Sequence, residues 1–275
     1  MSKREVDIVV ISDVHLGTYG CRARELVRYL RSIQPGTLIL NGDIIDIWQF
    51  SKRYWPKEHM QVIKEIVKII ARDVPVYYLT GNHDELLRKF SDSRLGNFHL
   101  QDRLVIETSN GEKVWFFHGD VFDTSIQCAK WLAKIGGAGY DLLIGINNLV
   151  NWCLERLGRE KMSFSKKIKN RVKSAVKYIG DFEQIAAEYA LQHGYDRVVC
   201  GHIHQPQDKV LMTKDGPIAY LNSGDWIENL SSLEYHDGAW RLFFYQTAEK
   251  RGQTAALSEG RRGDEETAAL TEVRT

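Results

Sequence analysis

The chain has 275 residues, 43% of them hydrophobic and 27% charged, with a formal net charge of +1. That length allows one large or two small domains with a buried core, and the near-neutral balance gives no global field that argues for nucleic acid. Cys21, Cys128, Cys153 and Cys200 are scattered without Cys-x-x-Cys spacing, which predicts reduced thiols in a cytoplasmic protein.

In chain order, the first apolar run, Ile8 to Ile11, is far too short for a signal peptide and leads straight into Asp13. No stretch approaches the roughly 18 apolar residues of a membrane span. Residues 7–11 read as a strand, 22–33 as a helix and 37–40 as a second strand. Residues 57–71 read as a helix with Met60, Ile63, Val67 and Ile70 on one face, and 74–79 as a third strand. Continuous apolar strands separated by helices predict a parallel sheet covered on both faces. Further runs at 113–120, 196–204, 209–213, 217–226, 232–238 and 239–245 are closely spaced, with Asp237-Gly238 between the last two. They read as antiparallel pairs, so the whole predicts two packed sheets with helices outside.

Residues 121–179 interrupt the β pattern with a helical one and carry eleven Lys and Arg against four Asp and Glu. Phe164, Ile168, Val172, Val176 and Ile179 recur at near-helical spacing among lysines that include Lys166, Lys169 and Lys173. The region reads either as a helical cap inserted at about 121–180 or as plain helices on the core with solvated lysines. Residues 247–275 hold no aromatic side chain and predict a flexible tail after a domain spanning 1–246.

Five polar clusters fall at the C-terminal ends of predicted strands: Asp13-Val14-His15, Gly42-Asp43 with Asp46 behind it, Gly81-Asn82-His83-Asp84, His118-Gly119-Asp120, and Gly201-His202-Ile203-His204. Ligand sites of α/β sheets lie at such ends. Residues two apart on an extended segment share a face, so Asp13 and His15, or His202 and His204, can present an oxygen and a nitrogen, or two nitrogens, together. Singly, each cluster is weak: Asp13-x-His15 reads more readily as a satisfied turn and His118 as a core histidine, and Gly-Asn-His-Asp also reads as a β-turn. Jointly, Asp13, His15, Asp43, Asn82, His118, His202 and His204 offer more donors than one ion needs. Carboxylate with imidazole suits Mn, Fe, Zn or Co better than Ca or Mg, and two such ions make the usual clamp for phosphoryl displacement. The remaining histidines, His59, His99, His193 and His236, are taken as surface or packing residues.

The ordered series Asp-x-His, Gly-Asp-x-x-Asp, Gly-Asn-His-Asp, His-Gly-Asp, Gly-His-x-His resembles the calcineurin-like metallophosphoesterase superfamily over residues 7–226. The resemblance implies an α/β, four-layer αββα sandwich with a dimetal centre at the sheet ends. It assigns Asp13, His15, Asp43 and His204 to one ion and Asp43, Asn82, His118 and His202 to the other, with Asp43 bridging. Attack of an activated water on phosphorus would follow, with His83 donating to the leaving oxygen and Asp84 orienting His83.

Within that superfamily the layout is similar to the UDP-2,3-diacylglucosamine pyrophosphatases of lipid A synthesis. The points of likeness are "ISDVHLG", "GDIIDIW" with Trp48, and the helical insertion after "HGD". The resemblance implies a cap that holds acyl chains, a nucleotide–sugar–lipid substrate, two divalent ions (manganese foremost), and work at the inner-membrane surface without nucleic acid. An apolar interior would bury lipid tails and a basic rim, Lys166, Lys169 and Lys173, would favour anionic headgroups. Residues 47–55, with Trp48 and Arg53, read as a surface that stacks on a base or pairs a phosphate, or as a packed loop. One position departs: the best-characterised branch carries arginine where this chain has His83, as general phosphoesterases do. Two further readings therefore stand beside the first, a phosphoesterase acting on a soluble mono- or diester and a non-catalytic binding module of the same fold.

Overall fold

The computed structural model describes residues 3–49, 54–125 and 164–246, with backbone alone at 123–125 and 164–177. The chain opens with strand β1 (Arg4–Ile11), helix α1 (Ala23–Ser32), strand β2 (Ile33–Asn41), helix α2 (Lys57–Ile70) and strand β3 (Val76–Leu79). A 3-10 turn at Glu85–Phe90 leads to the short strands β4 (Ser93–Leu95), β5 (Phe98–Gln101) and β6 (Arg103–Glu107), then β7 (Lys113–Phe117). Helix α3 (Phe164–Gln192) precedes β8 (Arg197–Cys200), β9 (Gln207–Thr213), β10 (Gly216–Asn222), β11 (Ser231–His236) and β12 (Ala239–Phe244).

These strands form two sheets, one ordered β12-β11-β1-β2-β3-β5-β4 and one ordered β6-β7-β8-β10-β9. Alternation along each strand sorts the side chains into three cores. Val9, Ile11, Leu38 and Leu40 pack against Leu26 and Leu30 of α1 and Val62, Ile66 and Ile69 of α2. Their neighbours Ile8, Val10 and Ile39 meet Val114, Phe116, Val199 and Leu221 of the other sheet. Trp115, Phe117, Val198, Cys200 and Tyr220 then pack against Phe182, Ala186, Ala187 and Ala190 of α3. The result is the four-layer αββα sandwich. No helix among the described residues is long and apolar enough to cross a membrane.

Three sequence expectations are corrected. The later strands are not simply antiparallel pairs: β11 and β12 form the expected hairpin and β9 runs antiparallel to β10, but β7, β8 and β10 are mutually parallel. The hairpin also leaves its neighbours and joins the first sheet, antiparallel to β1. On α2 the buried residues are His59, Val62, Glu65, Ile66 and Ile69, whereas Met60 and Val67 are each 53% exposed. The helix is apolar on two sides: Ile63 and Ile70 of the expected face are half-buried against the core, and the fully buried side is the one that places Glu65 beside Arg31 of α1.

Arg53 and residues 126–163 of the expected cap lie outside the described residues, as does the expected tail at 247–275. Lys166, Lys169 and Lys173 belong to the stretch of α3 described by backbone alone.

Phe116 is fully buried between the sheets. Phe116→Ala is expected to destabilise the fold by about 3–5 kcal/mol in urea unfolding, while Val105→Ala, at a residue 44% exposed, should change it by less than about 0.5 kcal/mol.

Candidate metal centre

Because β1, β2 and β3 are parallel in one sheet and β7, β8 and β10 in the other, six loops leave the sandwich at matching strand ends. The first two are zipped together: Asp13 N donates to Gly42 O, and Val14 N and His15 N both donate to Asp43 O, at 3.1, 3.0 and 2.9 Å. The zip forces tight turns. Asp13, His15, Asp43, His202 and His204 all have positive φ, between 52° and 68°, among nine non-glycine residues with positive φ in the described structure. Strained backbone of this kind gathers where surrounding structure holds side chains for function. Glycine fills the positions where candidate ligand side chains approach the backbone: a Cβ on Gly42 would strike the His118 ring, and one on Gly81 would strike the Asp43 carboxylate.

Three sets of potential donor atoms lie within 4.8 Å of one another: Asp13, His15 and His204; His15, Asp43 and His83; and Asp43, His118 and His202. The hydrogen bonds around the histidines say what those atoms present. His118 Nδ1 sits 2.9 Å from Asn41 O, a pure acceptor, so Nδ1 carries the proton. In a neutral ring Nε2 would direct a lone pair at Asp43 Oδ2, 3.2 Å away; burial opposes charge on His118, but Asp43 outweighs it and raises the pKa well above its ordinary value. Two lone pairs meet there unless a proton or cation stands between them. His204 repeats the arrangement, with Nδ1 3.5 Å from Asp225 Oδ2 and Nε2 3.3 Å from Asp13 Oδ1. His15 repeats it again, with Nδ1 3.4 Å from Asp46 Oδ2 and Nε2 3.9 Å from Asp43 Oδ2.

His15 Nε2, His118 Nε2 and Asn82 Oδ1 are buried without a hydrogen-bond partner. Buried polar atoms are normally satisfied, and a divalent ion is a partner that all three atoms can share. The donor set thus fits the metal centre. Protonation responds to the same crowding. Burial opposes charge on His204, but Asp13 and Asp225 outweigh it and hold the imidazole at about 9. Burial likewise opposes charge on Asp43, and His118, His15 and His83 outweigh it, keeping the carboxyl well below the usual range.

One residue with an assigned role needs correction. Asp84 does not orient His83. Its Oδ2 accepts from Tyr78 Oη at 2.6 Å and Ile44 N at 3.0 Å, and its Oδ1 accepts from Gly81 N at 2.5 Å. It is a buried tie that fastens the Gly81–Asp84 turn to the Asp43 loop. The group beside the His83 ring is Asp46, with Oδ2 2.9 Å from Nδ1. Burial lowers the His83 pKa, and Asp46 together with Asp43 more than reverses it. Trp48, 46% exposed, lies with its ring 4.8 Å from that of His83.

Asp225 carries a role the sequence reading missed. Besides facing His204, it caps a turn by accepting from the backbone N–H of Ile227, Glu228 and Asn229. Its position in "NSGDW", right after a strand, is the one signal that marked it.

A two-sheet αββα sandwich with carboxylate, imidazole and carboxamide donors converging at its strand ends is the architecture of a metallophosphoesterase. The sequence model of the calcineurin-like phosphoesterases matches residues 6–206, and the chain belongs to that family. It is 30% identical over 249 residues to a UDP-2,3-diacylglucosamine hydrolase of Aeromonas hydrophila, spanning 84% of this chain and 95% of that protein. It is 26% identical over 240 residues to a protein of the same name from Aliivibrio fischeri, spanning 86% and 97%. Among solved structures, the E. coli phosphoesterase Yfce aligns at 11% identity and a TM-score of 0.42, covering 87% of this chain and 99% of that one.

Gly81→Ala is expected to weaken metal binding by roughly tenfold or more, the scale of disturbing a ligand's support, because the added methyl displaces Asp43 and His118 together. Gly180→Ala, whose methyl would meet nothing within 4 Å, should leave it unchanged. Titration of apo-protein with Mn²⁺ checks both.

Proposed function

We propose that the chain hydrolyses the diphosphate of UDP-2,3-diacylglucosamine, releasing UMP and an acylated sugar 1-phosphate, in lipid A synthesis. The observation behind the substrate is the likeness to UDP-2,3-diacylglucosamine hydrolases along nearly their whole length. The observation behind the chemistry is the set of buried, partnerless donor atoms on His15, Asn82 and His118.

In this reading Asp13, His15, Asp43 and His204 hold one divalent ion, and Asp43, Asn82, His118 and His202 hold a second. Manganese is the proposed metal. When bound, such a pair supplies Lewis acidity, lowering the pKa of water and neutralising phosphoryl charge. The chain's own residues do the rest. Asp46, with Oδ2 2.9 Å from His83 Nδ1, holds that side of the ring and leaves Nε2 for the leaving oxygen, to which the imidazole gives its proton. His83 N donates to Asp43 Oδ1 at 2.8 Å, fixing the donor's distance from the bridging carboxylate. Asn82 contributes a neutral oxygen, which limits negative charge where an anionic substrate must enter. Trp48 beside His83 offers an aromatic face to the leaving portion. With a lipid substrate, the protein works in the cytoplasm at the inner-membrane face, and the segment at about 121–180 covers the acyl chains.

One observation favours a second reading. Histidine at position 83, rather than arginine, suits protonation of a simpler leaving group and thus a soluble phosphomonoester or diester.

Mn²⁺-loaded protein is expected to release UMP from UDP-2,3-diacylglucosamine. Absence of turnover, with good cleavage of an aryl phosphate ester, would select the second reading. His83→Ala should lower turnover by about 10²–10⁴-fold, the usual worth of a general acid, with metal content unchanged. Loss of metal instead would place His83 among the ligands.

A further inference from the structure

Arg88 has no place in the scheme above, yet it spans the two sheets at the metal centre. It sits on the 3-10 turn after the Gly81–Asp84 segment, in the first sheet's loops. Its guanidinium is two-pronged. Nη2 bonds Asp120 Oδ2 at 2.6 Å, in the loop that follows His118 in the second sheet. Nε donates to Thr80 Oγ1 at 3.2 Å, and Nη2 also reaches Thr80 O at 3.4 Å. Thr80 Oγ1 donates in turn to Asp102 Oδ1 at 2.6 Å. The Asp120 side chain is 8% exposed and that of Arg88 32%, so the pair is largely sheltered and hydrogen-bonded at both ends, the geometry in which an Arg–carboxylate bond is strong.

The loops joined in this way are those that carry Asn82 and His118. In the proposed centre both belong to the second ion's ligand set, one from each sheet. The Asp43 loop has its own cross-sheet ties, Asn41 Nδ2 to Phe117 O at 3.1 Å and His118 Nδ1 to Asn41 O at 2.9 Å. The Thr80–Phe90 segment has no hydrogen bond or ion pair to residues 117–125 other than Arg88–Asp120, among the described residues. A cleft of about 510 Å³ lined by Arg88, Asp102, Asp120, Phe122 and Tyr189 reaches His118 at this point. On the inner side Gly81 packs directly against Asp43 and the His118 ring, and on the outer side, facing the cleft, the two loops are held together by the ion pair.

We propose that Arg88 is a positioning residue for the second metal ion: by clamping Thr80 to Asp120 it sets the distance between Asn82 and His118. The inference rests on the two-ion reading given under Proposed function. Arg88 touches no reacting atom. It acts through Asn82 and His118, and the Asp13, His15 and His204 donors lie outside its reach.

The test is Mn²⁺ binding to the full-length chain, with stoichiometry and affinities from titration and with electron paramagnetic resonance of the loaded protein. Wild type should bind two ions and show an exchange-coupled spectrum. Arg88→Ala should keep one ion at wild-type affinity and bind the other about 10–100-fold more weakly, the usual cost of removing support behind a ligand. At one equivalent per site its spectrum should be that of isolated Mn²⁺. Asp120→Asn should reproduce the effect, the double variant should be no worse than either single one, and Arg88→Lys should restore part of the affinity. A merely structural role would lower the melting temperature of metal-free protein without splitting the two affinities.

Two ions at wild-type affinities in Arg88→Ala, equal weakening of both ions, or additive single variants would overturn the clamp while leaving the two-ion reading in place. A wild-type chain that binds one ion would overturn both.

Discussion

A carboxylate with 2% of its side chain exposed is costly to bury unless charge and hydrogen bonds answer it, and Asp43 is buried in that way. Around it stand His118 Nε2 at 3.2 Å, His15 Nε2 at 3.9 Å and the His83 backbone N–H at 2.8 Å. Each neighbour comes from a different strand end, so the fold must bring β1, β2, β3 and β7 to a common edge for Asp43 to be tolerated. The inter-sheet core of Ile8, Val10, Ile39, Val114 and Phe116 does so. Gly42 and Gly81 let the loops close over the carboxylate without collision. Packing thus fixes the separation of groups whose chemistry depends on that separation.

Around this centre lies a layer of acids that do not face it with free oxygens. Asp46 and Asp225 each hold the Nδ1 side of a histidine, leaving Nε2 to point inward. Support of this kind orients a ligand and raises its basicity. Asp84 spends both oxygens on Tyr78 and backbone N–H groups, and Asp120 is taken by Arg88. Four carboxylates near one site therefore have separate duties, set by their donors and not by their proximity.

Much of this was legible in the sequence, for physical reasons. A ligand cluster must follow a strand end and needs glycine for clearance, so "GD", "GNHD" and "GHIH" stand out against apolar runs. The main strands were legible because buried parallel strands are nearly continuous in Val, Ile and Leu. What was hidden depended on contacts distant in sequence. The direction of β8 against β7 depends on the chain between them, and β4, β5 and β6 are short and fully bury a single side chain, that of Leu100, among them. The buried face of α2 was misread because Glu65 enters the interface to meet Arg31, against the expectation that acids stay outside. Asp84 was assigned to His83 by adjacency, whereas the partner, Asp46, comes from another loop.

In the proposed centre Asp43 joins two ions held by ligands from both sheets. Anomalous diffraction from a crystal soaked in Mn²⁺ tests it most directly. Two peaks should flank the Asp43 carboxylate, one beside Asp13, His15 and His204 and one beside Asn82, His118 and His202. A single peak, or peaks remote from Asp43, would contradict it.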